Sequence, residues 1–361
     1  MKVFVVGGGT GGHLFPAIAL GEELLNRGYD VHLVTDTRCK NYLPSEGGRL
    51  KTHIFHLGFM RRGVVSKILL SARMIMAISR SIALLICYRP QVVVGFGGYT
   101  AFPMMLASRL LHIPIILHEQ NCFLGKVNDM FARNAAKIAL NFAETVNLPT
   151  SLEKKVIVTG NPVRGELRRG GRPKTKTFSK NTINILVTGG SQSALVFSEL
   201  VPEAIKIIHA KDPKLKISIT QQAAAETCEH LRAVYKTVTN KIDVEPFFHD
   251  MRERYLDSDL VICRSGASTI AELIYLGKPA IMIPYPSAAE DHQTFNAKAL
   301  EAKGGGWMMP QAGLTSEILA DKILHIAKNP RQLSVASEHL INLYMPSEQI
   351  LADVVDEIIK N

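Results

Sequence analysis

A glycine-rich turn between a strand and a helix occurs twice in this chain, once near the start of each half. The first follows the apolar residues 3–6 and reads GGGTGGH over residues 7–13, and the second follows residues 183–187 and reads TGGSQS over residues 188–193. Glycines at the end of a buried strand let the backbone turn sharply and bring the N–H groups of the next helix close to an anion. The two turns predict two nucleotide-binding domains that face one cleft.

Strand-like runs alternate with helical patterns in both halves, which is the pattern of an open parallel α/β sheet. We therefore predict an α/β protein with two Rossmann-like, doubly wound domains. The stretch 164–180 is basic and is interpreted as a linker, so the expected domains are 1–163 and 181–345, followed by a C-terminal helix over 346–361. The predicted strands are 31–35, 92–95, 113–117, 137–140, 156–159, 183–188, 215–220, 260–263 and 280–284.

Composition narrows the class of partner and the compartment. The chain has 361 residues, and its 42 basic and 32 acidic side chains give a net charge of +10, which favours phosphates or an acidic membrane surface as partners. No nucleic acid is expected, because no zinc spacing or RNA-binding aromatic signature accompanies the charge. The five cysteines form no CxxC and are predicted to be buried, reduced thiols. The first residues lack the form of a signal peptide, which predicts a cytoplasmic protein.

Residues 68–88 are apolar enough to suggest a membrane span, but Arg73 and Arg80 interrupt them. At a helical period these arginines share one face, and Arg62 lies near that face if the helix extends back. An amphipathic helix on a membrane surface fits this pattern better than a span. The alternative is an ordinary helix that covers the sheet.

The first glycine turn also fits a different function. Gly7, Gly9 and Gly12 satisfy GxGxxG, and Asp36 ends the second strand, where a dinucleotide fold places the carboxylate that binds ribose. A nicotinamide-dependent dehydrogenase is therefore an alternative. The second glycine turn counts against it, because a single dinucleotide domain has no need of one.

The strongest group of candidate residues reads CRSGASTIAE over 263–272. Small residues and hydroxyls at the start of a helix, here Ala267, Ser268 and Thr269, can place a diphosphate on backbone N–H groups. Glu272 lies one turn further, where a carboxylate can accept hydrogen bonds from both ribose hydroxyls. The alternative for Glu272 is a solvated carboxylate on a helix surface.

Polar loops after other strands add candidates. Asp291, His292 and Gln293 can hydrogen-bond sugar hydroxyls or can simply cap a helix. A third glycine turn at 95–100 and the sequence HEQN at 118–121 follow strands of the first half, so they are expected to converge with Thr10 and His13.

Together these motifs closely resemble the peptidoglycan glycosyltransferase family that makes lipid II, the MurG family of UDP-N-acetylglucosamine:N-acetylmuramyl-(pentapeptide) pyrophosphoryl-undecaprenol N-acetylglucosamine transferases. The resemblance covers nearly the whole chain, and the motifs occur in the family's order: GGGTGGHLFPA, GFGGYTAFP, HEQN, GNPVR, TGGSQ, CRSGASTIAEL and DHQTFNA. One position departs from the pattern, because Ser193 stands where the family usually has glycine.

The resemblance implies a GT-B architecture, UDP-N-acetylglucosamine and undecaprenyl-linked lipid I as substrates, and inversion at the anomeric carbon. It also implies a peripheral position on the cytoplasmic face of the inner membrane and a role in peptidoglycan synthesis, cell shape and division. The residues implied to hold the UDP-sugar are Ser191, Phe248, Ala267, Ser268, Thr269, Glu272 and Gln293, with Arg164 near the nucleotide. Those implied to approach the donor sugar and the acceptor diphosphate are Thr10, Gly11, Gly12 and Asn121.

Inverting transfer needs a base for the acceptor hydroxyl and charge stabilisation for the departing UDP. His13 is the first candidate for the base, because its ordinary pKa lies near neutral pH, and Glu119 is the alternative. His13 can instead bind diphosphate or order its loop. No DxD motif stands where a metal site would be expected, so no metal or other cofactor is predicted. A UDP-N-acetylglucosamine 2-epimerase and a membrane-bound nucleotide sensor remain alternative functions.

Overall fold

The computed structural model describes residues 1–43, 49–58, 64–174, 176–189, 194–239 and 241–360, the side chains of 64–68 and 194 excepted. The chain divides into two compact units. Unit 1 contains Met1–Gly165 and Met345–Asn361, and unit 2 contains Glu166–Tyr344. Most of the stretch interpreted as a linker therefore belongs to unit 2, where the Arg172 guanidinium donates to the carbonyl oxygen of Ile341 at 2.7 Å.

Unit 1 is built on a seven-stranded sheet in which every pair of neighbouring strands is parallel. The strand order is β3-β2-β1-β4-β5-β6-β7. The strands are β1 (Lys2–Val6), β2 (Asp30–Asp36), β3 (Lys51–Phe55), β4 (Val92–Gly95), β5 (Ile115–Glu119), β6 (Lys137–Leu140) and β7 (Val156–Val158). The helices between them are α1 (Gly11–Asn26), α2 (Val64–Tyr88), α3 (Gly98–Leu110) and α4 (Lys126–Ala132).

Unit 2 repeats this plan with a six-stranded parallel sheet in the order β10-β9-β8-β11-β12-β13. The strands are β8 (Thr182–Thr188), β9 (Lys216–Gln222), β10 (Lys241–Glu245), β11 (Leu260–Cys263), β12 (Ala280–Met282) and β13 (Gly306–Met308). The helices are α5 (Gly165–Arg168), α6 (Ala194–Lys211), α7 (Ala225–Tyr235), α8 (Met251–Asp257), α9 (Ala267–Leu276), α10 (His292–Ala302), α11 (Ser316–Lys328) and α12 (Pro330–Leu343), of which α5 begins at Gly165, where the first segment of unit 1 ends.

Each sheet reverses its strand order at its first strand, and this fixes where ligands can bind. β1 lies between β2 and β4, with Val6 opposite Gly95, and β8 lies between β9 and β11, with Thr188 opposite Cys263. In open α/β sheets the crevice outside the carboxyl ends of the strands, at such a reversal, is the usual ligand site. The glycine turns after β1 and β4, and the SGAST segment after β11, follow strands at these two points.

The last helix, α13 (Ser347–Lys360), returns to unit 1. Its residues Leu351 and Val355 join the core on the face of the sheet that α1 covers. The Arg27 guanidinium, just after α1, donates to Asp353 at 2.6 Å and to Asp356 at 2.8 Å. The sequence pattern predicts this helix but not where it docks.

Every predicted strand overlaps an observed one, whereas β3, β10 and β13 are not evident from the sequence pattern. All three form edges of their sheets, where only one side of the strand is paired. Edge strands tolerate charged residues, so KTHIF and KIDVE lack the continuous apolar run that marks a central strand.

α2 is the one helix among the described residues that is long and apolar enough to cross a membrane, judged by length and composition alone over Leu69–Tyr88. It buries a narrow stripe, Ala77, Ser81 and Leu85, against unit 1. The prediction that all five cysteines are buried is wrong for Cys87, which is exposed on α2, because it lies outside that stripe.

Candidate functional site

The first glycine turn brings the end of β1 unusually close to α1. A Cβ at Gly7 would lie 2.5 Å from the carbonyl oxygen of His13 and 2.7 Å from the Cβ of Ala17, so only glycine fits there. Gly9 adopts a φ of +86°, which side chains other than glycine rarely allow. This geometry sets Thr10, Gly11 and Gly12 at the N-terminus of α1, where helix N–H groups and the helix dipole attract anions.

His13, in the first turn of α1, is half-buried and contacts the HEQN segment at the end of β5. Its Nδ1 lies 2.8 Å from Oε1 of Gln120. On the other edge of its ring, a Cβ at Gly98 would lie only 3.1 Å from Nε2, and Gly98 adopts a φ of +71° at the start of α3. The predicted convergence of the three loops after β1, β4 and β5 is therefore present within unit 1.

Glu119, the alternative base, has a different environment. Its Oε1 accepts from the backbone N–H of Asn121 at 3.0 Å, and its Oε2 accepts from the N–H of Gly125 at 3.0 Å and from Nδ2 of Asn128 at 2.8 Å. The carboxylate is 3% exposed. Both of its oxygens thus hold the loop that carries Asn121, and this arrangement supports a positioning role.

Asp36 does not offer its carboxylate to a ribose. It is 1% exposed and accepts from the backbone and side chain of Arg38 and, at 2.5 Å, from the hydroxyl of Thr100. Although burial alone would raise the pKa of Asp36, the hydrogen bonds from Arg38 and Thr100 lower it. The acid required by the dehydrogenase alternative is therefore already occupied by partners from its own unit.

The candidate donor site in unit 2 is built on the N-terminal half of α9. Gly266 is the N-cap, and Ala267, Ser268 and Thr269 form the first turn after β11. Glu272 is 6% exposed, so it is not a solvated surface carboxylate. Its Oε2 accepts from the hydroxyl of Tyr255 at 3.1 Å, which orients the carboxylate from the side of α8.

Removing that hydroxyl tests whether the orientation of Glu272 matters. Tyr255→Phe is expected to raise the KM for a UDP-sugar about tenfold, since a hydrogen bond to a charged group contributes about 1.5 kcal/mol, and to leave kcat nearly unchanged. Tyr235→Phe is a matched control, because Tyr235 is also fully buried in unit 2 but donates to Gln221. Steady-state kinetics of both variants check this, and equal KM values for Tyr255→Phe and wild type would contradict it.

The start of α10 is fixed to the same loop. The Ser265 hydroxyl donates to the carbonyl oxygen of Gln293 at 2.7 Å, and Oε1 of Gln293 accepts from the backbone N–H of Tyr285 at 3.0 Å. Nδ1 of His292 lies 2.7 Å from the carbonyl oxygen of Ala289, which makes Nδ1 the donor of that hydrogen bond. Gln293 therefore caps the loop through its amide oxygen.

Two further candidate residues, Arg164 and Phe248, each lie against a partner within their own unit. The guanidinium of Arg164 lies 5.0 Å from the ring centroid of Phe15 in unit 1, and Phe248 is buried in unit 2 with the guanidinium of Arg254 4.7 Å from its ring. Ser191 and Ser193, with Arg62 of the membrane prediction, lie outside the described residues. Within the described ranges, no three His, Cys, Asp or Glu side chains come together as a metal site.

Several residues that shape the site were not assigned a role from the sequence. Gln120 hydrogen-bonds His13, and Asn128 hydrogen-bonds Glu119. Tyr255 hydrogen-bonds Glu272. Arg264 is buried and donates to the carbonyl oxygens of Ile283 at 3.0 Å and Pro284 at 3.1 Å, which fixes the loop before α10. Gln120 and Arg264 stand inside the quoted motifs, whereas nothing in the sequence around Tyr255 indicates that its hydroxyl reaches α9.

Comparison with known proteins gives full-length matches. Residues 3–140 match the model of the glycosyltransferase family 28 N-terminal domain, and residues 184–352 match that of the C-terminal domain. Proteins of Rickettsia bellii and Rickettsia canadensis, both named "UDP-N-acetylglucosamine--N-acetylmuramyl-(pentapeptide) pyrophosphoryl-undecaprenol N-acetylglucosamine transferase", are each 43% identical over 99% of this chain and 99% of their own.

Solved structures agree with these matches. The crystal structure of Acinetobacter baumannii MurG superposes with a TM-score of 0.78 at 28% identity and covers 99% of both chains. A putative UDP-N-acetylglucosamine 2-epimerase from Listeria monocytogenes, with a TM-score of 0.70 over 100% of this chain and 97% of that chain, is 12% identical and shares the fold alone. The predicted GT-B class, with two Rossmann-like parallel-sheet domains, is confirmed. The chain belongs to glycosyltransferase family 28 and, within it, to the family of UDP-N-acetylglucosamine–N-acetylmuramyl-(pentapeptide) pyrophosphoryl-undecaprenol N-acetylglucosamine transferases.

Proposed function

We propose that this protein transfers N-acetylglucosamine from UDP-N-acetylglucosamine to the muramyl sugar of undecaprenyl-diphosphate-linked muramyl-pentapeptide, the step from lipid I to lipid II in peptidoglycan synthesis. The observation that carries the proposal is the 43% identity to transferases of that name over 99% of both chains. The geometry of α9 supports it, because a helix N-terminus followed by the buried carboxylate of Glu272 fits a diphosphate next to a ribose.

In this mechanism the acceptor hydroxyl oxygen bonds to the anomeric carbon, and the bond from that carbon to the β-phosphate oxygen of UDP breaks with its electron pair. The acceptor proton passes to Nε2 of His13. The first turn of α9, with Ser268 and Thr269, stabilises the charge that develops on UDP. Glu272 binds the ribose hydroxyls, and His292, Gln293 and Asn121 contact the donor sugar. Thr10, Gly11 and Gly12 bind the acceptor diphosphate.

Experiments without the acceptor distinguish the alternative functions from the proposed one. A 2-epimerase converts UDP-N-acetylglucosamine alone, whereas a transferase of this kind leaves the sugar configuration unchanged until acceptor is added. A dehydrogenase binds NAD, and the occupied carboxylate of Asp36 disfavours that. We expect calorimetric titration to detect binding of UDP and no binding of NAD. We expect NMR spectra of UDP-N-acetylglucosamine incubated with the protein to show no epimer. An epimer or saturable NAD binding would overturn the proposal.

The same proposal places the protein on the cytoplasmic face of the inner membrane, with α2 as the contact. α2 leaves large apolar side chains in solvent, since Leu69, Ile75, Met76 and Ile86 are each more than half exposed. Arg80 is tied to the sheet through the carbonyl oxygen of Ile54 at 2.8 Å, next to this surface. Exposed apolar side chains beside cationic ones favour an anionic membrane surface.

The membrane contact is tested by making α2 polar. Ile75→Asn combined with Met76→Gln is expected to weaken binding to anionic vesicles about tenfold or more, because each side chain loses part of the roughly 1.5–3 kcal/mol available from apolar burial. Ile318→Asn is the control, since Ile318 is also about half exposed but lies on α11 of unit 2. Vesicle co-sedimentation measures the binding. Equal binding by the double variant and the wild type would contradict the assignment.

A further inference from the structure

A chain of four hydrogen-bonding groups runs from the backbone of unit 1 to His13. Nε2 of His118 lies 2.9 Å from the carbonyl oxygen of Gly160, and Nδ1 of His118 lies 2.9 Å from Nε2 of Gln120. Oε1 of Gln120 then lies 2.8 Å from Nδ1 of His13. His118 and Gln120 are both buried.

The first proton in the chain is fixed by His118. Complete burial lowers the pKa of His118 to about 4, so its ring is neutral at neutral pH and carries one proton. A carbonyl oxygen can only accept, and therefore the contact with Gly160 places that proton on Nε2. Nδ1 of His118 is left with a lone pair that must accept a hydrogen bond.

The orientation of the Gln120 amide follows from the tautomer of His118. Its Nε2 donates both to Nδ1 of His118 and, at 2.8 Å, to the backbone carbonyl oxygen of the same residue. Two acceptors on one side require the amide NH₂ there, so the amide oxygen must face His13. That oxygen accepts only, and the proton of a neutral His13 therefore lies on Nδ1.

We propose that Gln120, oriented by His118, is a positioning residue that holds His13 in the Nδ1–H tautomer, with the lone pair on Nε2. Nε2 is the ring atom that faces Gly98, where a Cβ would lie 3.1 Å from it, so glycine at this position leaves room for the ring. The inference rests on the proposed role of His13 as the base, because a base needs its lone pair on the atom that meets the acceptor hydroxyl.

The tautomer can be measured without any sugar transfer. ¹⁵N-histidine labelling of the full chain, with His13 and His118 assigned by the variants His13→Gln and His118→Gln, reports which ring nitrogen carries the proton. We expect the unprotonated nitrogen to be Nε2 in His13 and Nδ1 in His118. A neutral His13 with its proton on Nε2 would overturn the inference, even if the protein makes lipid II.

Kinetics test whether Gln120 acts through His13. Gln120→Met keeps the length, cannot donate and accepts only weakly, so both tautomers of His13 become available. We expect kcat to fall about two- to tenfold, which is less than the roughly 10²- to 10⁴-fold loss expected when the base itself is removed. UDP affinity is expected to stay unchanged. In a chain that already carries His13→Gln, Gln120→Met is expected to have no further effect on kcat.

The chain provides a matched control in Gln332, whose Nε2 lies 2.9 Å from Nε2 of His325 on the exposed surface of unit 2. Gln332→Met is expected to leave kcat unchanged. A loss of kcat from Gln120→Met that persists in the His13→Gln background would show a merely structural role and overturn the inference. If Gln120→Met does not fold, the tautomer in the unmutated chain decides the question.

Discussion

His13→Ala is expected to lower kcat for sugar transfer by about 10²- to 10⁴-fold, the usual contribution of a general base, with little change in UDP affinity. The physical reason is that His13, in the first turn of α1, places its ring nitrogen Nε2 beside Gly98 at the N-terminus of α3. Steady-state kinetics with saturating donor, together with calorimetric binding of UDP, measure the two quantities separately.

His13→Gln distinguishes the base from a phosphate-binding group, because glutamine can donate a hydrogen bond but cannot take a proton at neutral pH. We expect it to be as inactive as His13→Ala. His325→Gln, on the exposed surface of α11, is the control and keeps wild-type kcat. Near-normal kcat in His13→Gln would reject the base assignment and leave Glu119 as the next residue to test.

Glu272→Ala is expected to weaken the use of UDP-sugar by about 1.5–3 kcal/mol, which is the range for hydrogen bonds to a charged group. The carboxylate is almost completely buried and held by Tyr255, so it is already oriented before the donor binds. Calorimetry with UDP and with its 2′,3′-dideoxy analogue measures the effect directly.

The two ligands make the test specific for ribose. Wild type is expected to bind the dideoxy analogue more weakly than UDP, and Glu272→Ala is expected to bind both ligands equally. If the variant still prefers UDP by the wild-type factor, Glu272 does not contact the ribose hydroxyls and must be removed from the site.

Much of the fold is predictable from the sequence because its central strands are buried on both faces. Runs such as 92–95 and 260–263 are short and apolar, and each leads within two residues to glycine or serine, which marks both the strand and the turn. The edge strands β3, β10 and β13 carry no such signal. The docking of α13 on α1 brings Asp353 and Asp356 to Arg27, more than 300 positions away along the chain, and no local pattern encodes that.

The candidate site is predictable to a similar depth. Its main candidate residues, His13, Glu119 and Glu272, stand in short motifs that indicate their chemistry. The contacts that set their environments are not local, since His13 and Gln120 are 107 positions apart and the contact between Tyr255 and Glu272 joins α8 to α9. Only the fold brings those partners together, and this is why the sequence alone left His13 and Glu119 as alternatives.

The central claim is tested most directly by incubating the wild-type protein with UDP-N-acetylglucosamine and a short-chain lipid I analogue in detergent. We expect the analogue to gain the mass of one N-acetylhexosamine residue, UDP to be released in equal amount, and the new linkage to have the β configuration by NMR, as inversion requires. Release of UDP without a change in the analogue, or a product that keeps the α configuration of the donor, would contradict the account.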